Sequence, residues 1–327
     1  MLATDPGASK RENAVEPSTL EIQSKIERER DISLMEFVDV GRKPGFFRGT
    51  SRSIADVWLF RELLSRLVRR EIKARYKDSS LGVVWSLFRP LIQLLIYYFA
   101  IGKVLGASRS VPDFAIFVFT GVTVWTLYSE IISGSTVSIL NNAGLIKKVY
   151  LPREIFPLAS IGSALVNFAV QLVVLLVGIS FLSHFRIGWD LLLAPAAFIT
   201  LLVFATAAGL LLSALNVYAR DVEHFVEIYV LVFFWVSPIV YPFTDVQLAL
   251  QGNWLEQVYL FNPVTIAMIS VQRALWAGGV EGSGKFAQSW PDNLDLRLLI
   301  AFGASCVLLW LAQRVFARLQ GNFAQEL

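Results

Sequence analysis

Cysteine is nearly absent. Cys306 is the one thiol in 327 residues, which excludes an internal disulfide framework and a cysteine-clustered metal site. Histidine is almost as scarce: His184 and His224 lie far apart in sequence and give no basis for a His-rich catalytic metal centre. Charge is thin as well. Only 17% of the residues are Asp, Glu, Lys or Arg, against about 25% in ordinary soluble domains. A net formal charge of +3, spread over this length, does not mark a nucleic-acid binder. What fills the chain instead is apolar side chain, 55% of all residues, with a mean hydropathy of +0.57. That is far more than a soluble enzyme can hide, and the pattern predicts an all-α integral membrane protein.

Residues 1–55 differ from everything after them. They are polar, lack the apolar core of a secretory signal, and end in a basic stretch with Gly41, Pro44, Gly45 and Gly49. They read as a mobile cytoplasmic extension, with a docking arm as the alternative. Residues 56–77 are amphipathic: Phe60, Leu63, Leu64, Leu67 and Val68 recur at helical spacing, and Arg66, Arg70, Lys73 and Lys77 form a separate basic stripe. Such a helix suits a membrane interface, where each basic side chain adds about 1 kcal/mol of attraction to anionic lipid. A solvated helix packed on a partner is the competing reading.

Six apolar stretches follow, at about 82–105, 114–139, 156–182, 191–215, 225–241 and 296–316, each near the ~20 residues that cross ~30 Å of hydrocarbon. The fifth ends at Ser237-Pro238 and Tyr241-Pro242, so a kink is expected there. An even number of spans puts both termini on one side, and charge says which. One side collects the seven basic residues from Arg61 to Lys77, with Lys147, Lys148, Arg153, Arg220, Arg314 and Arg318; the other has Arg109, Arg186, Arg273, Lys285 and Arg297. Both termini are therefore expected in the cytoplasm. The large loop from Phe243 to Asp295 is then external. Its apolar piece Asn262–Trp276 is too short to cross, and predicts re-entrant or interfacial gate helices between the fifth and sixth spans.

Gly279–Phe286 (GVEGSGKF) imitates a nucleotide-binding loop. Phe286 stands where the Mg²⁺-binding hydroxyl belongs, and no strand precedes the motif, so it is an external turn. No ATP-hydrolysing apparatus is expected in this chain; ATP and Mg²⁺ would belong to a separate subunit. The loop from Asn141 to Glu154 (NNAGLIKKVYLPRE) places Leu145, Ile146, Val149 and Tyr150 among Lys147 and Lys148. Four apolar side chains on a short cytoplasmic loop point to a protein partner.

Six segments in this order carry a family resemblance: RYKDSSLGVVWSLFRPL, LIKKVYLPREIFPL, RDVEHFV, WVSPIVYP, NPVT and the closing FAQEL. Over residues 56–327 the sequence resembles the membrane subunit of ABC-2-type polysaccharide exporters, which move O-antigen, capsule, teichoic acid or galactan. The resemblance implies a homodimer of six-span subunits in the bacterial cytoplasmic membrane, driven by two copies of an ABC ATPase. It implies that the 141–153 loop is the ATPase-coupling loop, and that the substrate is a glycan on a polyprenyl diphosphate lipid. Spans one and five would line the conduit. The aromatic side chains there suited to sugar faces are Trp85, Phe88, Tyr97, Tyr98, Phe233, Phe234, Trp235 and Tyr241, although rings are also common lipid-facing residues.

Charges in or beside the spans are Arg89, Lys103, Glu130 and Glu227. Arg89, beside the stripe of Arg66, Arg70, Lys73 and Lys77, is placed to receive a lipid diphosphate; pairing with Glu227 or Asp221 is the structural alternative. Lys103 is expected to reach outward to the interface. Two rival functions stand beside the conduit: an ABC-2 permease for a small lipophilic drug or lipid, and an intramembrane glycosyl- or phosphotransferase. The transferase needs clustered acidic residues on a cytoplasmic loop, where only the isolated Glu154, Asp221 and Glu223 occur.

Overall fold

The computed structural model describes residues 55–75, 84–149, 151–182, 188–250, 253–276 and 289–327. Residues 1–54 of the N-terminal extension, Lys77, Tyr150 and the stretch Gly279–Phe286, expected as an external turn, lie outside the described residues. Among the described residues there are helices and turns and no strand, as the apolar runs predict.

α1 (Arg61–Arg75) starts with Glu62 and ends with Lys73 and Arg75, a charge order that suits the helix dipole. Leu67 is buried and Phe60, Leu63, Leu64 and Val68 are half-buried, while Arg66, Arg69, Arg70 and Lys73 are exposed. α2 (Val84–Tyr97) contains Pro90 and passes into a π-helical segment, Tyr98–Val104. The chain then turns at Gly106, whose φ of 82° favours glycine. α3 (Phe114–Asn141) is followed by the single turn α4 (Ala143–Ile146) and by α5 (Ile155–Leu182). A 3₁₀ turn, Trp189–Leu192, leads into α6 (Leu193–Tyr218), and α7 (Val222–Val236) follows. Three shorter helices come next: α8 (Phe243–Leu250), α9 (Trp254–Phe261) and α10 (Pro263–Leu275). α11 (Leu294–Leu319) and the turn α12 (Phe323–Glu326) complete the chain.

Among the described residues, four helical stretches are long and apolar enough to cross a membrane: Phe114–Asn141, Ile155–Phe181, Trp189–Tyr218 and Leu294–Asn322. They coincide with four of the six expected spans. The bent pair α9 and α10, at 82° to each other, passes the same test as a unit. The other two expected spans are not single long helices. At 82–105 the α-helix gives way to π geometry. At 225–241 the helix has 15 residues and stops at Val236, because Pro238 lacks the N–H that would continue it. The hydroxyl of Tyr241 turns back and donates to the carbonyls of Trp235 (2.7 Å) and Val236 (2.8 Å), which the helix end leaves open.

α3 is the central post, packed against α5 and α6, while α6 also packs against α10 and α11. Small residues let these helices approach. A Cβ on Gly209 of α6 would stand 2.9 Å from the Cβ and Oγ of Ser135 on α3. At the end of the bundle where Asn141, Ile155, Tyr218 and Leu319 lie, here the basic end, a cluster of Leu67, Ile139, Ile155, Phe156, Phe316 and Phe323 is buried. At the opposite, far end, α10 is nearly all buried. Its N-terminus is capped by Asn262, whose side chain accepts from the Val264 N–H at 3.0 Å, with Pro263 at the first position.

Candidate functional site

Four places gather the side chains singled out by the sequence. The first is the face formed by α2 and α7. The Tyr97 ring lies 5.6 Å from Phe234 and 6.4 Å from Trp235, so the first and fifth apolar stretches meet through these rings. Gln93 donates to the Tyr97 hydroxyl at 2.9 Å. Trp85 and Phe88 pack edge to face at 5.3 Å and stay about half exposed, as does Trp235. Tyr98 packs against Phe99 and lies under the Lys103 ammonium, 5.5 Å from the ring centroid. Lys103 thus gains a π partner on its own helix.

Two of the expected lining rings do other work. Phe234 is buried between Tyr97, Trp125 and Trp235, so it has no ring face left for a passing ligand. Tyr241 closes the end of α7. The Phe233 ring lies tilted against Tyr229, centroids 4.2 Å apart, and the Tyr229 and Tyr128 hydroxyls are 2.8 Å apart. The rings behind this face, Trp125, Tyr128 and Phe204, stand on α3 and α6, and the sequence reading missed them. Their signal was present, since each is aromatic within an apolar run, but nothing in one sequence says which way such a ring points.

The second place is α1. Its Arg75 guanidinium sits 3.1 Å from the Glu130 carboxylate, and Asn167 of α5 donates to the same oxygen at 2.9 Å. Glu130 lies eleven residues before the end of α3, about 16 Å along the axis. α1 therefore runs beside α3 and α5 into the bundle and leaves an ion pair well below their ends. Arg70 donates to the Asn142 side-chain oxygen, and Asn142 donates to the Ser138 carbonyl at 2.8 Å. Burial pushes the Glu71 carboxyl above its usual range, partly offset by the Ser160 hydroxyl and by Arg70 and Arg75. A raised acid favours the protonated form, so its contribution to stability is present at low pH and declines as pH rises through the raised value.

Arg89 is exposed on α2 and forms no hydrogen bond or ion pair among the described residues. The structural pairing considered for it does not occur: Glu227 lies instead 3.6 Å from His224. Arg66 and Lys73 are exposed as well, so of the described stripe only Arg70 is engaged, with Asn142.

The third place is the loop after α3. Lys147, Lys148 and Val149 are exposed and Leu145 is half-buried. Ile146 departs from expectation. It is 7% exposed and belongs to the same cluster as Ile139, Ile155 and Phe156, because the single turn of α4 folds it back onto the bundle. The chain's C-terminus reaches this loop. Phe323 is fully buried, 5.6 Å from Phe316 and 6.1 Å from Tyr218, with the Arg153 guanidinium 5.6 Å over its ring. Gln313 donates to Glu154 at 3.1 Å.

At the far end, the fourth place, Trp276 donates to the Pro112 carbonyl at 2.8 Å and Gln272 to that of Pro238. These bonds satisfy carbonyls at chain turns and tie α10 to the starts of α3 and of the segment after α7. Arg273 pairs with Asp190 at 3.1 Å.

The chain matches the ABC-2 type transporter family over residues 62–276. It is 28% identical over 277 residues to the O-antigen export system permease protein RfbA of Myxococcus xanthus, covering 84% of this chain and 99% of that protein. Two proteins of the same description from Klebsiella pneumoniae are each 29% identical, over 67% of this chain and 82% and 81% of their own lengths. The family match covers α1 through α10, the elements that hold the aromatic face, the α1 ion pair and the basic loop. This chain is a multi-pass membrane protein of the ABC-2 type transporter family.

Proposed function

We propose that this protein is the conduit subunit of an ATP-driven exporter that moves a polysaccharide linked to polyprenyl diphosphate across the cytoplasmic membrane. The observation that carries the reading is the alignment with the Myxococcus xanthus O-antigen export permease over 99% of its length. The aromatic face of α2 and α7 supports it. Half-exposed Trp85, Phe88 and Trp235 offer flat apolar surfaces to sugar rings without a strong anchoring charge. In a homodimer of six-span subunits, with α2 and α7 as the first and fifth spans, two such faces would enclose the path. The Mg²⁺ and ATP belong to two ATPase subunits beneath the basic end, met by Lys147, Lys148, Val149 and Tyr150.

In this reading the basic end faces the cytoplasm. Reporter fusions at Gly106 and Gly188 should read outside, and fusions at Gly144 and Leu327 inside. An inside signal at Gly106 or Gly188 overturns the orientation.

Arg89 is the proposed receiver of the diphosphate. It is exposed and has no carboxylate partner among the described residues, and a guanidinium offers phosphate oxygens a planar fork that an ammonium does not. Arg66 and Lys73, with Lys77 and the partly engaged Arg70, would gather the anionic lipid nearby. Arg89→Ala should lower export about tenfold, the effect of losing about 1.4 kcal/mol, and Arg89→Lys should lower it less. Lipid-linked polymer should accumulate in the inner leaflet at unchanged subunit level, measured by extracting that pool. Intact export in Arg89→Ala would place the diphosphate elsewhere.

A further inference from the structure

A cavity of about 520 Å³ opens at the far end between α6 and α11, away from the α2–α7 face. Its size is that of a site for a ligand, not a packing void. Its walls are apolar: Ala196 and Ile199 from α6, Leu298 and Phe302 from α11. Its mouth is not. Trp189, 90% exposed, and the carboxylates of Asp190 and Asp295 stand there. The two acids are not equivalent. Asp190 is paired with Arg273 at 3.1 Å, whereas Asp295 is exposed and has no ion-pair partner among the described residues. Asp295 sits in the first turn of α11.

From Asp295 to Phe302 the cavity follows two turns of α11, about 10 Å. It is thus a slot that is charged at its mouth and apolar below. The exposed indole of Trp189 beside it is a side chain typical of the membrane–water interface. A molecule that fits must carry a hydrocarbon chain and a positive, hydrogen-donating head. An anionic headgroup would meet the unpaired Asp295 carboxylate with like charge. A quaternary amine would be attracted but has no N–H to give. A primary ammonium supplies both charge and donor.

We propose that this slot is a binding site for a glycerophospholipid with a primary amine headgroup, its ammonium on Asp295 and one acyl chain between α6 and α11. The site depends on the chain lying in a membrane and not on which substrate is exported. A lipid held there would bridge the starts of α6 and α11 and brace the helices against which α10 is packed.

The test uses the full chain in phosphatidylcholine vesicles with a small fraction of lipid bearing a photoactivatable acyl chain. The probes are phosphatidylethanolamine, phosphatidylcholine, phosphatidylglycerol and a polyprenyl phosphate, with labelled peptides identified by mass spectrometry. The expected result is labelling of the peptides containing Ala196–Ile199 and Leu298–Phe302 by the ethanolamine probe, about five-fold above the others. Asp295→Asn should bring that ratio near one while labelling persists. Ala196→Trp, at an exposed position where folding is not at stake, should fill the slot and suppress labelling by every probe. Equal labelling by all probes in the unaltered protein means ordinary surrounding lipid and overturns the proposal. Stronger labelling by the polyprenyl probe overturns it in favour of the substrate. No labelling at all means that another segment or a second copy occupies the slot, and overturns it too.

Discussion

Replacing Gly209 with leucine is expected to remove folded subunit from the membrane. The position lies where α6 crosses α3, and even a single Cβ there would stand 2.9 Å from the Cβ and Oγ of Ser135. Both helices are long, and α3 is also packed against α5, so it cannot shift without opening a second contact. Overpacking of this kind costs about 3 kcal/mol, a sizeable part of the roughly 5–15 kcal/mol that separates folded from unfolded protein. Gly209→Ala should fall between the two. Gly178→Leu is the control, since nothing lies within 4 Å of a Cβ at that position. The check is the amount of subunit that stays monodisperse after detergent extraction and the midpoint of its thermal inactivation. Wild-type stability of Gly209→Leu would mean that the α3–α6 crossing is not as close as described.

The loop after α3 should separate folding from coupling. Ile146→Asp places a carboxylate among Ile139, Ile155 and Phe156, where no partner for it is expected, at a cost of about 4 kcal/mol. The subunit itself should be lost. Reversing Lys147 and Lys148 to glutamate and changing Val149 to aspartate touches side chains that are exposed. Those changes should leave the subunit folded and inserted while abolishing co-purification of the ATPase or uncoupling its hydrolysis from export. Quantitative pull-down at matched subunit level distinguishes the two classes. If the triple variant keeps both assembly and export, the coupling surface is not this loop. If Ile146→Asp folds normally and loses only the ATPase, then Ile146 faces the partner after all.

These two variants also show where a single sequence is informative. The long apolar runs were legible because burial in a bilayer demands about twenty consecutive apolar residues, and four of the six appear as uninterrupted helices. The α10 start was legible too, since Asn262-Pro263 is a cap followed by a first-turn proline. The division of the loop was not. Leu145, Ile146 and Val149 are alike in chemistry, and only the turn of α4 decides that Ile146 faces inward while Val149 faces out. Phe234 met the same fate among the rings of α7: with Tyr97, Trp125 and Trp235 around it, it is part of the wall and not its surface. Side chains far apart in sequence were the hardest. Glu130 has no basic residue near it in sequence, yet its partners are Arg75 and Asn167, brought to it only by the descent of α1 beside α3 and α5. The burial of Phe323 under Arg153 likewise depends on the chain end returning to a loop that it follows by more than a hundred residues. The first and fifth stretches were located by hydropathy, but the π-helical end of one and the early stop of the other depend on hydrogen bonding that hydropathy does not see.

The central claim is that the chain, with an ATPase, carries lipid-linked glycan. The most direct measurement places the purified subunit and its ATPase in vesicles that hold a polyprenyl-diphosphate glycan on the leaflet of the basic end. Glycan appearing on the opposite side is then followed with a membrane-impermeant lectin. The account predicts transfer that requires ATP and both proteins and falls about tenfold in Arg89→Ala, with no comparable movement of a small lipophilic dye. ATP-driven movement of the dye while the glycan stays on its original leaflet would contradict it.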